Sequence, residues 1–109
     1  MQFINNTWRC SKKVSSFDCS YCDSLTSLES APEKVGRYFD CQGCKSLTSL
    51  EGAPEKISGN FYCSFCDSLT SLKGAPKEVG GGFYCSSCKT KFTEEDVRNV
   101  SNVKGMIKC

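Results

Sequence analysis

Histidine is absent from the chain, which removes the Cys–His and Ser–His–acid arrangements that activate hydrolytic nucleophiles. No P-loop or G-x-G-x-x-G fingerprint occurs, and the glycines at 80–82 fall between repeats, so no phosphate-cradling loop is indicated. An enzyme is not expected. Long apolar runs are missing too: nothing approaches the roughly 20 residues of a membrane-spanning helix, and no membrane partner is expected. The opening MQFINNTWRCSKK has neither an apolar core nor a small-residue cleavage site, so it does not read as a signal peptide. The protein is therefore expected in the cytoplasm, where the N-x-S/T triplets at Asn5 and Asn99 are chance matches. Nor is there an excess of charge of one sign. Fourteen Lys and Arg accompany twelve Asp and Glu, for a net charge of +2, which does not point to a nucleic-acid partner.

Cysteine, by contrast, is abundant, with ten in 109 residues. In a reducing cytoplasm they are poor candidates for a disulfide framework. Their placement is regular. Sliding the sequence by 22 residues superposes Phe17, Phe39, Phe61 and Phe83, then Cys19, Cys41, Cys63 and Cys85, then Cys22, Cys44, Cys66 and Cys88. Further columns are Leu25, Leu47, Leu69; Leu28, Leu50, Leu72; Ala31, Ala53, Ala75; Pro32, Pro54, Pro76; and Val35, Ile57, Val79. The chain is a repeat array.

Each repeat reads as one coil of a solenoid. NFYCS alternates in the period of a short strand, with Phe61 and Cys63 inward. The inward spacing then widens to three through Cys66, Leu69 and Leu72, as in a curved chain. The GAP unit punctuates it: Gly52 and Gly74 tolerate unusual backbone angles and each proline stops a regular element. One such unit cannot bury its apolar edge alone, whereas stacked units share a continuous core.

The ends depart from the pattern as solenoid ends must. Residues 1–13 read as an N-terminal cap, 14–88 as four coils and 89–109 as a C-terminal cap. Lys91 stands where a core leucine is due. Thr93 followed by Glu94, Glu95 and Asp96 resembles a helix start, Val97, Val100 and Val103 recur at helical spacing, and Gly105 is a stop, which predicts a helix near 94–104 laying its valines on the last coil. At the other end Phe3, Ile4, Trp8 and Val14 are expected to cover the first coil.

The run VGRYFDCQGCKSLTSLEGAP and its copies resemble leucine-rich repeats of a short variant common in bacterial and bacteriophage proteins. Phe61 and Cys63 take the strand positions, Cys66 the Asn/Cys position, and Leu69 and Leu72 the following leucines. Val or Ile stands four rather than three residues before the Phe, and cysteine replaces the second strand leucine. Over residues 14–88 the resemblance implies a leucine-rich-repeat-like solenoid with short parallel strands, irregular returns and a C-terminal capping helix. It also implies a protein-interaction module, and a phage-type inhibitor of a host (defence) protein acting in the host cytoplasm.

Two readings of the cysteines stand side by side. The C-x-x-C pairs Cys19/Cys22, Cys41/Cys44, Cys63/Cys66 and Cys85/Cys88 have the spacing of four-thiolate zinc sites, giving as the alternative a zinc-stabilised module that binds nucleic acid. Yet both cysteines of each pair occupy columns that need a small inward apolar residue, and free cysteine is readily buried. Packing without metal or cofactor is the expectation. One tuned redox thiol fits poorly with four copies in the same repeat context.

With the core so assigned, function falls to the outward strand positions. Asp18, Tyr38, Asp40, Asn60, Tyr62 and Tyr84 should project from a concave sheet face, with Tyr21 and Phe65 at its edge. Tyrosine, with large contact area and a polar tip, suits a protein partner. Stacking of Tyr62 on Tyr84 to brace neighbouring strands is the other reading.

Overall fold

The computed structural model describes residues 15–29 and 31–109 fully, together with the strand backbone at 2–4, 7–9 and 13–14. Strands β1 (Gln2–Ile4) and β2 (Thr7–Arg9) pair as an antiparallel hairpin. Each coil that follows carries two strands of two residues. The first ladder consists of β3 (Lys13–Val14), β5 (Lys34–Val35), β7 (Lys56–Ile57), β9 (Glu78–Val79) and β11 (Asn102–Val103). The second consists of β4 (Phe17–Asp18), β6 (Phe39–Asp40), β8 (Phe61–Tyr62), β10 (Phe83–Tyr84) and β12 (Ile107–Lys108). Pairing in both ladders is parallel, and repeat-equivalent residues face each other: Phe17 opposes Phe39, and Ile57 opposes Val79. The chain is a parallel β-solenoid of about four turns, and the described residues include one short helix, α1 (Glu94–Arg98).

Alternation within two residues is sufficient to orient each rung. In β6, β8 and β10 Phe points inward and Asp or Tyr outward; in β5, β7 and β9 Lys or Glu points outward and Val or Ile inward. The return half of each coil therefore contains a ladder of its own, more order than an irregular connection. Four phenylalanines stack through the core with ring centroids 5.0, 5.6 and 4.9 Å apart, each contact contributing about 0.5–1.5 kcal/mol beyond burial. Backbone bonds extend this ladder past the strand, from Cys41 N to Tyr62 O at 2.8 Å and from Gly43 N to Ser64 O at 2.9 Å.

The spacing of three has a specific backbone cause. Leu69 N donates to Cys66 O and Ala75 N to Leu72 O, both at 3.1 Å, and the two preceding coils repeat these bonds. Successive tight turns thus bring every third side chain to the core. Leu25, Leu28, Leu47, Leu50 and Leu69 are fully buried there. A serine before each corner helps: Ser27 and Ser71 Oγ each accept from the backbone N–H two residues on, at 3.0 Å. Gly52 (φ +91°) and Gly74 (φ +87°) lie against the backbone of the preceding coil, where a Cβ would strike Leu28 and Glu29 or Leu50 and Glu51 respectively.

The C-terminal segment differs from the helix expected over 94–104. Thr93 caps α1 through a capping box with Asp96, but the helix ends at Arg98. Beyond it, Asn102 N donates to Lys77 O at 2.8 Å and Lys104 N to Val79 O at 3.0 Å. The unpaired carbonyl edge of the preceding coil captures this backbone, and 102–108 adds a fifth rung to both ladders. Val97 is fully buried under α1 and Val103 is buried as a strand residue, whereas Val100 is 39% exposed. Phe92, beside the exposed Lys91, enters the core. Gly105 packs against Gly81 in the turn between β11 and β12 rather than ending a helix. The cover expected from Phe3, Ile4, Trp8 and Val14 concerns side chains outside the described residues.

Candidate interaction surface

Strand register gathers the candidate residues into three parallel rows. The central row runs Asp18, Asp40, Tyr62, Tyr84 and Lys108, each opposite the next. The Tyr62 and Tyr84 rings stack at 5.1 Å with planes 15° apart. Asp18 and Asp40 turn back on their own strands: Oδ1 of Asp18 accepts from Ser20 N at 2.9 Å, and Oδ1 of Asp40 from Gln42 N at 3.0 Å. Burial raises the Asp40 carboxyl above its ordinary range; the Gln42 N–H pulls it back in part.

On one side of this row lie Tyr38, 39% exposed, and Asn60. Asn60 ties the rows together, since Nδ2 donates to the Tyr62 hydroxyl and Oδ1 accepts from Gly82 N, both at 2.8 Å. Tyr62 is thus held by a ring neighbour on one coil and an amide on its own.

The third row, Tyr21, Gly43, Phe65 and Ser87, occupies the left-handed backbone region, with φ of 58°, 72°, 59° and 59°. A bulky residue at positive φ costs about 1 kcal/mol or more. Here the bonds from Tyr21 N to Gln42 O and Phe65 N to Ser86 O hold the backbone in the inter-coil ladder. The consequence is outward display: Tyr21 is 63% and Phe65 51% exposed. The Tyr21 ring lies over Gly43, where any Cβ would collide with it. Sequence periodicity signalled that this column varies, but not its backbone conformation.

Two features were not legible in the sequence because they depend on how the C-terminal segment is seated on the last coil. Met106, 66% exposed, and Lys108 extend the Tyr38 and Tyr84 rows. A groove of about 700 Å³ opens between the last corner and α1, floored by Leu72, Ala75 and Phe92 and edged by Lys73, Lys77 and Asp96.

The cysteines form two columns in the core. In the second, Cys44 Sγ donates to Cys19 O, Cys66 Sγ to Cys41 O, and Cys88 Sγ to Cys63 O, each at 3.2 Å. Burial pushes the Cys63 thiol well up, and a hydrogen bond with Cys66 together with burial does the same to Cys41. Among the described residues no three His, Cys, Asp or Glu side chains are gathered so as to hold a metal ion. Among them, too, no helix is long and apolar enough to cross a membrane. In comparisons with known proteins, no family model, no curated protein and no solved structure matches this chain.

Proposed function

We propose that the chain is a non-enzymatic protein-interaction module that binds a protein partner across the rows of its second ladder. The observation that carries this reading is the Tyr62–Tyr84 stack, two ordered aromatic rings with polar tips, flanked by the exposed Tyr38, Tyr21 and Phe65. Rigid aromatic side chains of this kind dominate binding energy at interfaces, and partners commonly use the extended face that stacked repeats create. In its finer form the partner is a host protein, such as a defence enzyme, inhibited in the host cytoplasm by being covered; this form rests on the resemblance to short leucine-rich repeats of bacteriophage proteins.

The test is affinity capture from the native cell, followed by affinity measurement with the captured protein. Replacing Tyr62 and Tyr84 together by Ala should weaken binding by about 2 kcal/mol or more, while thermal melting shows that the fold persists. Glu51 and Lys73, an exposed ion pair at 3.3 Å on a different part of the coil, supply the control. Binding lost on replacing Glu51 and Lys73 by Ala but kept in the tyrosine variant would place the interface elsewhere.

A further inference from the structure

Cys41, Cys44, Cys66 and Cys88 make S–H bonds to backbone carbonyls of neighbouring coils, whereas at the last rung Cys85 donates to the thiol of an exposed cysteine. Cys85 Sγ points at Cys109 Sγ across 3.5 Å. The two residues are neighbours in register, one position beyond the pairing of Tyr84 with Lys108, and Cys85 N donates to Lys108 O at 2.9 Å. Laterally adjacent strands lie about 4.8 Å apart, within the Cα separation that a disulfide spans. Cys85 is 2% exposed, while Cys109 is exposed. Both line a recess of about 430 Å³ that also contains Cys88, Phe92, Lys89 and Lys91.

We propose that Cys85 and Cys109 form a reversible dithiol–disulfide site that is oxidised by an anionic low-molecular-weight disulfide of the glutathione type. Cys109 reacts first, because it is the accessible sulfur. Its thiolate attacks one sulfur of the small disulfide, a mixed disulfide forms, and the other half departs as a thiolate that takes up a proton. Cys85 then gives up its proton and its sulfur attacks Cys109 Sγ, releasing the second half as a thiol. Two electrons pass from the chain's two thiols to the small disulfide, which becomes two thiols. Lys89 and Lys91 beside the recess favour the anionic reagent. Cys88 is set apart from this exchange by its bond to Cys63 O at 3.2 Å. The product ties β12 to β10 and closes a loop containing α1, so it stabilises the end of the solenoid. With one sulfur exposed, the bond belongs to the labile, readily reduced kind.

The experiment equilibrates the full chain with glutathione and glutathione disulfide at defined ratios, traps free thiols by alkylation, and maps them by peptide mass spectrometry. The expected result is a Cys85–Cys109 linkage formed ahead of any other, with a melting temperature several degrees higher that returns to the reduced value on adding dithiothreitol. Cys109→Ser removes both the linkage and the shift; Cys88→Ser keeps both. A linkage through Cys88, a glutathione adduct that stays on Cys109 without an internal bond, or no loss of thiols in glutathione disulfide alone would each overturn the proposal. Because Cys109 is exposed, its serine variant tests the site without disturbing the core.

Discussion

Cys66 Sγ donates to the carbonyl oxygen of Cys41, one coil earlier, at 3.2 Å, and the same bond joins Cys44 to Cys19 and Cys88 to Cys63. The second cysteine of these three C-x-x-C pairs is therefore a rivet between coils. Its thiol fills a buried position and satisfies a carbonyl that would otherwise be left in the core.

It follows that purified protein should contain no stoichiometric zinc, and a strong chelator should leave its melting temperature unchanged. Structural zinc contributes folding energy directly. Two tightly held zinc ions per chain, with unfolding on chelation, would restore the zinc reading of the four pairs.

Alkaline pH offers a second measurement on the same core. Burial raises the Cys63 thiol well above its ordinary value of 9.0. Above that pH the unfolded chain releases the proton while the folded chain retains it, so stability is fully present below about 9 and falls as pH rises further. Denaturant unfolding of the reduced protein between pH 7 and 11 should show this decline, with a shallower slope for Cys63→Ala. A flat profile would mean that the thiols ionise equally in both states.

Val97 and Val100, three residues apart, should respond oppositely to aspartate. Val97 is fully buried and Val100 is 39% exposed. Val97→Asp places an unpaired charge in the core and should cost at least about 3 kcal/mol. Val100→Asp should stay within about 0.5 kcal/mol, as exposed substitutions generally do. Equal losses in urea melts would put both valines on the core.

Gly52 tests the corner of the coil. At φ +91°, with the backbone of Leu28 and Glu29 where a Cβ would lie, alanine adds strain and a steric clash together. Gly52→Ala should destabilise by about 2 kcal/mol or more. An unchanged melting temperature would show that the coils can separate locally without loss.

Much of the fold was legible because a repeat reports its core many times over. Any single Phe or Leu is ambiguous, but a column at constant spacing has to stack, so the inward Phe, Cys and Leu positions, the parallel register and the row containing Asp40, Tyr62 and Tyr84 could all be read before the structure. The first ladder was harder to see. Its strands are two residues long, as at Lys56–Ile57, too short for periodicity to separate strand from return.

The amino-acid sequence by itself determined the solenoid, its 22-residue pitch and which side chains fill it, because these follow from local alternation multiplied by repetition. Tertiary structure alone decided the C-terminal end. Val97, Val100 and Val103 satisfy a helical pattern, yet the open backbone edge at Lys77 and Val79 draws Asn102 and Lys104 into a fifth rung. A helix competes for those N–H groups only with its own carbonyls, while an edge of the array offers a ready-made ladder. The same kind of non-local pairing brings Cys109 to Cys85 and holds Tyr21 and Phe65 in the left-handed backbone region, since all three depend on how one coil is seated on the next.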